Sequence, residues 1–158
     1  MPEWFGFRSP QELLAKLERE LTRLQQNPSD GDTTFNFFIT AWSLVDWLHP
    51  GNPSAREALR ANHPILQVVA HLADGAKHFQ LGNPKHRSVL NTARGANWGA
   101  WPMPMNPGQR PVSPSALFVH LDGDAAKEFG SFPAAVKLAE ATLAWLRDYI
   151  TTMRQNAP

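Results

Sequence analysis

The chain has 158 residues, of which 42% are hydrophobic and 18% are charged, and its formal net charge is +1. This composition excludes a disordered chain and favours one folded domain over residues 1–158. The absence of cysteine excludes disulfides, thiolate nucleophiles and thiolate metal sites. The opening residues lack the basic and apolar segments of a secretory signal, and the apolar run 35–48 is too short to span a membrane. We therefore expect a cytoplasmic protein without membrane association.

Two helices are predicted in the first 48 residues. Ser9, Pro10 and Glu12 form a capping box with proline at the first helical position, and leucines at helical spacing follow to about residue 26. A second helix is predicted to begin after Asp32 or Thr33 and to run to about residue 48. It is apolar nearly all round, which predicts a central, buried position.

Two further helices are predicted after a break at residues 49–53. Ser54 and Glu57 form a second capping box, which predicts a short helix to about residue 61. Pro64 opens a longer helix that we expect to continue to Leu81, with an apolar stripe on one side. Its other side carries Gln67, His71, Asp74 and His78. This is either a solvated polar face or a groove lined by His71 or His78. The two histidines lie about 10 Å apart along the axis, so we expect no metal site and no cofactor.

The pattern changes after residue 85. Two short β-like runs, 88–93 and 116–121, predict a small antiparallel ribbon on either side of a long Pro/Gly-rich loop. Residues 125–129 are predicted to add a short strand, and Ser131 is predicted to cap a last helix over about 132–153. The predicted fold is a mainly α bundle of about five helices. The basic loop and ribbon form an insertion at about 85–130.

The charges are segregated along the chain. No Asp or Glu occurs between Gly75 and Leu121, although this segment holds five Lys and Arg residues. Tryptophans beside cations are typical of single-strand binders, which indicates an RNA or DNA surface. The candidate residues are Lys85, Arg87, Arg94, Trp98, Trp101 and Arg110. Alternatively, the segment is a basic loop balanced by acidic helices, or its Trp and Met residues contact the bundle, a protein partner or a second copy.

Asp46 is the carboxylate with the strongest chemical signal. It lies among apolar residues of the second helix, so an ionised side chain needs a partner. Lys77, His78, His71 or an arginine can supply one. A histidine held by a carboxylate acts as a general acid or base near neutral pH. The first candidate catalytic set is therefore His78, Lys77 and Asp46, and the alternative is a structural ion pair.

The chain also resembles known families in two short patterns. An aromatic helix ending in Asp46-Trp47, followed by the run 73–78 (ADGAKH), is similar to a group of bacterial and phage proteins. Arg56 and His63 resemble the Arg-x(4–6)-His motif of HEPN-type four-helix domains, some of which are ribonucleases of toxin and defence systems. This resemblance implies a nucleic-acid-binding protein or a metal-independent ribonuclease in which Arg56 and His63 are second candidates for catalysis. A non-enzymatic accessory subunit is the competing hypothesis.

Overall fold

The computed structural model describes residues 6–77, 88–96 and 115–156. Within these ranges the chain forms six helices and two strands, so the prediction of a mainly α bundle with a small ribbon is confirmed. The elements are α1 (Pro10–Gln26), α2 (Gly31–Leu48), α3 (Pro53–Asn62), α4 (Pro64–Lys77), β1 (Val89–Ala96), β2 (Ser115–Leu121), α5 (Gly123–Phe129) and α6 (Ala135–Gln155).

Side-chain caps determine where the first two helices begin. Ser9 Oγ accepts a hydrogen bond from the Glu12 backbone N–H, as the capping box predicts. Helix α2 begins earlier than the sequence predicted because Asp30 caps it. Asp30 Oδ1 accepts from the backbone N–H groups of Asp32 and Thr33, at 3.0 and 3.3 Å.

Helix α3 also begins earlier than predicted. Its cap is Asn52, whose Oδ1 accepts from the Ala55 backbone N–H at 3.0 Å, and Pro53 occupies the first turn. The Ser54 capping box is therefore wrong, because the stronger signal was the Asn-Pro pair just before it.

The core lies between α1, α2, α4 and α6. Helix α2 is central, as predicted, since it contacts the other three. Fully buried side chains from all four helices meet there, including Leu17, Phe37, Leu44, Leu66 and Leu146. Burial of each such side chain contributes about 1.5–3 kcal/mol, so this packing holds the elements that carry the candidate sites.

A cluster of three polar side chains lies at the α1–α2 interface. Lys16 Nζ donates a hydrogen bond to Glu20 Oε1 and a second to Thr40 Oγ1, the latter at 2.7 Å. Glu20 is only 6% exposed, and its Oε2 has no hydrogen-bond partner among the described residues. A buried carboxylate of this kind depends on its cation for stability.

Strands β1 and β2 form the predicted antiparallel ribbon, with a register shift near Leu90. The edge of β2 that faces away from β1 is bonded to neighbouring loops. The backbone N–H groups of Leu117, Val119 and Leu121 donate to the carbonyl oxygens of residues 28, 133 and 131, at 2.9, 3.0 and 2.9 Å. These bonds, together with buried Val119 and Leu121, attach the ribbon to the bundle.

Two predictions for the last third of the chain are wrong. Residues 125–129 belong to α5 rather than to a strand, because Asp122 caps a run of strong helix formers. Helix α6 begins at Ala135 without a side-chain cap. Ser131 lies before it, where its carbonyl oxygen accepts from Leu121. Within the described ranges, no helix combines the length and apolar character needed to cross a membrane.

Candidate functional site

The structure describes four of the predicted site residues with their side chains: Asp46, Arg56, His63 and Arg94. Of Lys77, only the helical backbone is described. The other candidates, His78, Lys85, Arg87, Trp98, Trp101 and Arg110, lie outside the described residues. The roles predicted for those six residues stay predictions.

Asp46 forms an ion pair with Arg56. Asp46 belongs to the last turn of α2, and its Oδ1 accepts from Arg56 Nη1 on α3. The side chains are 39% and 30% exposed, so both reach solvent at this corner of the bundle. Arg56 Nε is buried and has no hydrogen-bond partner among the described residues. The pair joins a residue of the first candidate set to a residue of the second.

Asp46 lies far from Lys77. Helices α2 and α4 run antiparallel, since Thr34 near the start of α2 and Gly75 near the end of α4 line the same cavity. Asp46 follows Thr34 by about 18 Å along the helix axis. Asp46 and the backbone of Lys77 therefore lie toward opposite ends of the helix pair, and the described partner of Asp46 is an arginine, one of the alternatives that the sequence offered.

Aromatic side chains connect the residues that end α2 and α3 with helix α6. The ring of His63 lies 4.9 Å from that of Trp145, and Trp145 stacks on Tyr149 at 4.9 Å. Tyr149 Oη lies 2.9 Å from His49 Nε2. We call these four residues the aromatic row. Burial raises the pKa of Tyr149, which favours its neutral phenol. Two rings separate the imidazoles, so His49 and His63 do not converge on one small group.

The faces of the ribbon differ in chemistry. Side chains alternate along a strand, so buried Val119 and Leu121 define the inner face. Phe118 and His120 belong to the opposite, outer face, together with Asn91, which pairs with His120 in the register. The described parts of the ribbon, 88–96 and 115–121, contain no acidic residue. The outer face is thus aromatic and polar, without negative charge.

An exposed aromatic stack extends this outer face. Phe132, in the loop before α6, stacks on His120 with ring centroids 4.1 Å apart and an interplanar angle of 19°. Phe132 is 56% exposed, so much of its ring remains accessible. Sequence reasoning missed this residue, because an aromatic side chain between Ser131 and Pro133 gives no signal of its exposure. A stacked, solvent-accessible ring pair can serve as a platform for a planar ligand.

Arg94 supplies a cation on the ribbon. It is exposed on β1, and its Nη2 lies 3.6 Å from the position that a Cβ on Gly31 would occupy, at the amino end of α2. The pKa of Asp30 is lowered, mainly by hydrogen bonds from Thr33 and to a smaller extent by the charge of Arg94. No described residue forms a salt bridge with the guanidinium, which leaves its charge available to an anion from solution.

A cavity of about 870 Å³ lies between α2, α4 and the ribbon. Its walls are mostly apolar, and His71 lines it. His71 is buried rather than solvated. Its Nδ1 accepts a hydrogen bond from the Val89 backbone N–H at 3.0 Å. A neutral imidazole that accepts at Nδ1 carries its proton on Nε2. The polar side of α4 thus holds the ribbon in place.

Comparisons with protein-family models, curated proteins and solved structures gave no match to this chain.

Proposed function

We propose that this protein binds single-stranded nucleic acid, with RNA the first candidate, on the outer face of the ribbon. The observation that supports this function is the exposed Phe132 stacked on His120, beside Phe118. Stacking of a base on an aromatic ring contributes about 1–3 kcal/mol and tolerates any base. Such a surface suits binding of a strand without strong sequence preference.

The charge distribution supports the same function. The sequence contains no carboxylate between Gly75 and Leu121, and Arg94 is exposed within that segment, on the other face of the ribbon from His120 because it pairs with Leu117. The other predicted contacts, Lys85, Arg87, Trp98, Trp101 and Arg110, flank β1 in sequence. Cations draw the phosphate backbone to the protein, and aromatic rings hold the bases.

The proposal is tested by fluorescence anisotropy with a labelled oligouridine over a series of salt concentrations. We expect affinity to fall steeply as salt rises. Phe132→Ala should weaken binding by about 5–150-fold, the equivalent of one stacked base, whereas Phe132→Tyr should retain it. Absence of binding at low salt, or equal affinity of the Phe132→Ala variant, would contradict the proposal.

A second candidate function is metal-independent RNA cleavage of the HEPN type, in a toxin or phage-defence context. The observation that favours it is the placement of Arg56 and His63. Arg56 lies on α3, His63 is the residue that ends this helix, and Asp46 fixes the guanidinium. In this reaction His63 takes the proton of a ribose 2′-hydroxyl, whose oxygen attacks phosphorus. The bond from phosphorus to the 5′-oxygen then breaks, the leaving oxygen takes a proton from water, and Arg56 stabilises the phosphate charge.

Cleavage is tested by incubating the purified protein with end-labelled RNA in the presence of EDTA. His63→Ala and Arg56→Ala should abolish cleavage. Arg147→Ala should retain it, since Arg147 pairs with Glu18 on the surface and serves as a matched control. Intact RNA with the native protein would reject this function. Loss of cleavage in His78→Ala, with His63→Ala active, would instead favour the first predicted catalytic set.

A further inference from the structure

The edge of β1 that faces away from β2 has backbone N–H and C=O groups that no described residue bonds. In the ribbon, the N–H groups of Leu117 and Val119 point away from β1 and donate to loop carbonyl oxygens. Their register partners are Arg94 and Thr92. The N–H and C=O groups of these two residues must therefore point away from β2, at the opposite edge of the ribbon. No described residue bonds these groups, whereas Val89, further along the same edge, donates to His71.

The cavity follows this edge. Four consecutive β1 residues, from Val89 to Thr92, line it, so the backbone of the strand borders the cavity as well as its side chains. The facing wall comes from α2 and α4 and includes Phe35 and Leu72. Leu90 and Phe35 are both exposed large apolar residues, and they lie at the opening. An open strand edge beside an apolar cavity offers backbone pairing and side-chain pockets together.

We propose that this edge and cavity bind an extended peptide of another protein, which adds to the ribbon as a third strand. The peptide carbonyl and N–H groups pair with Thr92 and Arg94, and alternate apolar side chains enter the cavity. Because the ribbon carries Arg94 and no acidic residue in its described parts, the peptide bears an acidic residue near Arg94. The cavity lining does not include Phe132 or His120, the stacked pair on which we propose nucleic-acid binding.

A second copy of this chain suits the edge less well. Pairing β1 with another β1 would present a polar side chain of the second strand, Asn91 or Thr92 according to the register, to an apolar cavity. It would also bring two copies of Arg94 close together across the new strand pair. A peptide with alternating apolar and acidic residues avoids both penalties.

The test is selection of a phage-displayed random peptide library on the immobilised full chain. We expect enriched peptides with apolar residues at every second position and at least one acidic residue. Thr92→Pro removes an N–H that points away from β2, so no bond to β2 is lost. It should weaken the affinity for the enriched peptides by about tenfold or more. Thr92→Val keeps the N–H and should bind normally. Ala76→Phe fills the cavity and should also abolish binding, whereas Ala144→Phe, on the exposed side of α6, should not.

Circular dichroism and the anisotropy assay with oligouridine accompany each variant, so that loss of the ribbon is distinguished from loss of the peptide site. Peptides that bind Thr92→Pro and Ala76→Phe as well as they bind the native chain would overturn the proposal. So would a selection with no enrichment, or a chain that forms a dimer dissociated by Thr92→Pro. Loss of oligouridine binding in Phe132→Ala with peptide binding intact would show that the two surfaces act independently.

Discussion

Replacement of Lys16 by methionine should destabilise the fold more than any change to a surface ion pair. Methionine keeps much of the apolar stem but removes the ammonium that bonds Glu20 and Thr40. Glu20 is 6% exposed, and its second carboxylate oxygen already lacks a partner among the described residues. Removal of one partner from a buried pair costs about 3–5 kcal/mol. At about 2–4 °C per kcal/mol for a chain of this size, the melting temperature should fall by roughly 6–20 °C.

Urea unfolding followed by circular dichroism measures this loss, and the slope m should not change. Lys16→Met/Glu20→Leu removes both charges and should restore stability to the native level or above. Lys137→Met is the surface control, since Lys137 is 70% exposed in its pair with Glu140, and it should cost less than about 1 kcal/mol. A loss below 1 kcal/mol in Lys16→Met, or a double variant as unstable as the single one, would refute the reasoning.

Three further outcomes are expected. Asp46→Ala should lower the free energy of unfolding by only about 1 kcal/mol in urea unfolding, because its pair with Arg56 is partly solvated. A loss of 3 kcal/mol would show a buried pair. His71→Ala should cost about 1–3 kcal/mol by leaving the Val89 N–H without an acceptor, and His71→Asn, which supplies an oxygen there, should cost less. Tyr149 is the single tyrosine, so absorbance at alkaline pH should report a pKa above its ordinary value of 10.0. The pKa of Tyr149 is higher in the folded protein than in the unfolded one. The stability that depends on the neutral phenol should therefore be complete below pH 10 and decline as pH rises through the folded pKa. Titration at or below pH 10 would contradict the burial of the phenol.

The parts of the fold that depend on local chemistry could be predicted from the sequence. Ser9, Pro10 and Glu12 identify the start of α1, because the cap and its donor are three residues apart. The two β-like runs identified the ribbon. The strand predicted at 125–129 failed because the cap at Asp122 and the helix formers after it outweighed a short apolar pattern.

The candidate sites depend on contacts between distant elements, and these could be predicted only in part. Asp46 was identified from its apolar neighbours, and an arginine was among its predicted partners. The choice of Arg56 over Lys77 follows from the antiparallel packing of α2 and α4, which periodicity does not reveal. His71 gave a polar signal on α4, but burial beneath the ribbon converts it into a structural acceptor. The exposure of Phe132 likewise depends on where the ribbon lies.

The location of nucleic acid on the ribbon is tested most directly by photocrosslinking. RNA containing 4-thiouridine, irradiated with the native chain and digested for mass spectrometry, should form adducts in peptides that contain Phe118, His120 or Phe132. High salt should suppress these adducts. Adducts confined to the corner of Arg56 and His63, or no adduct under conditions in which anisotropy detects binding, would contradict the assignment of the outer face.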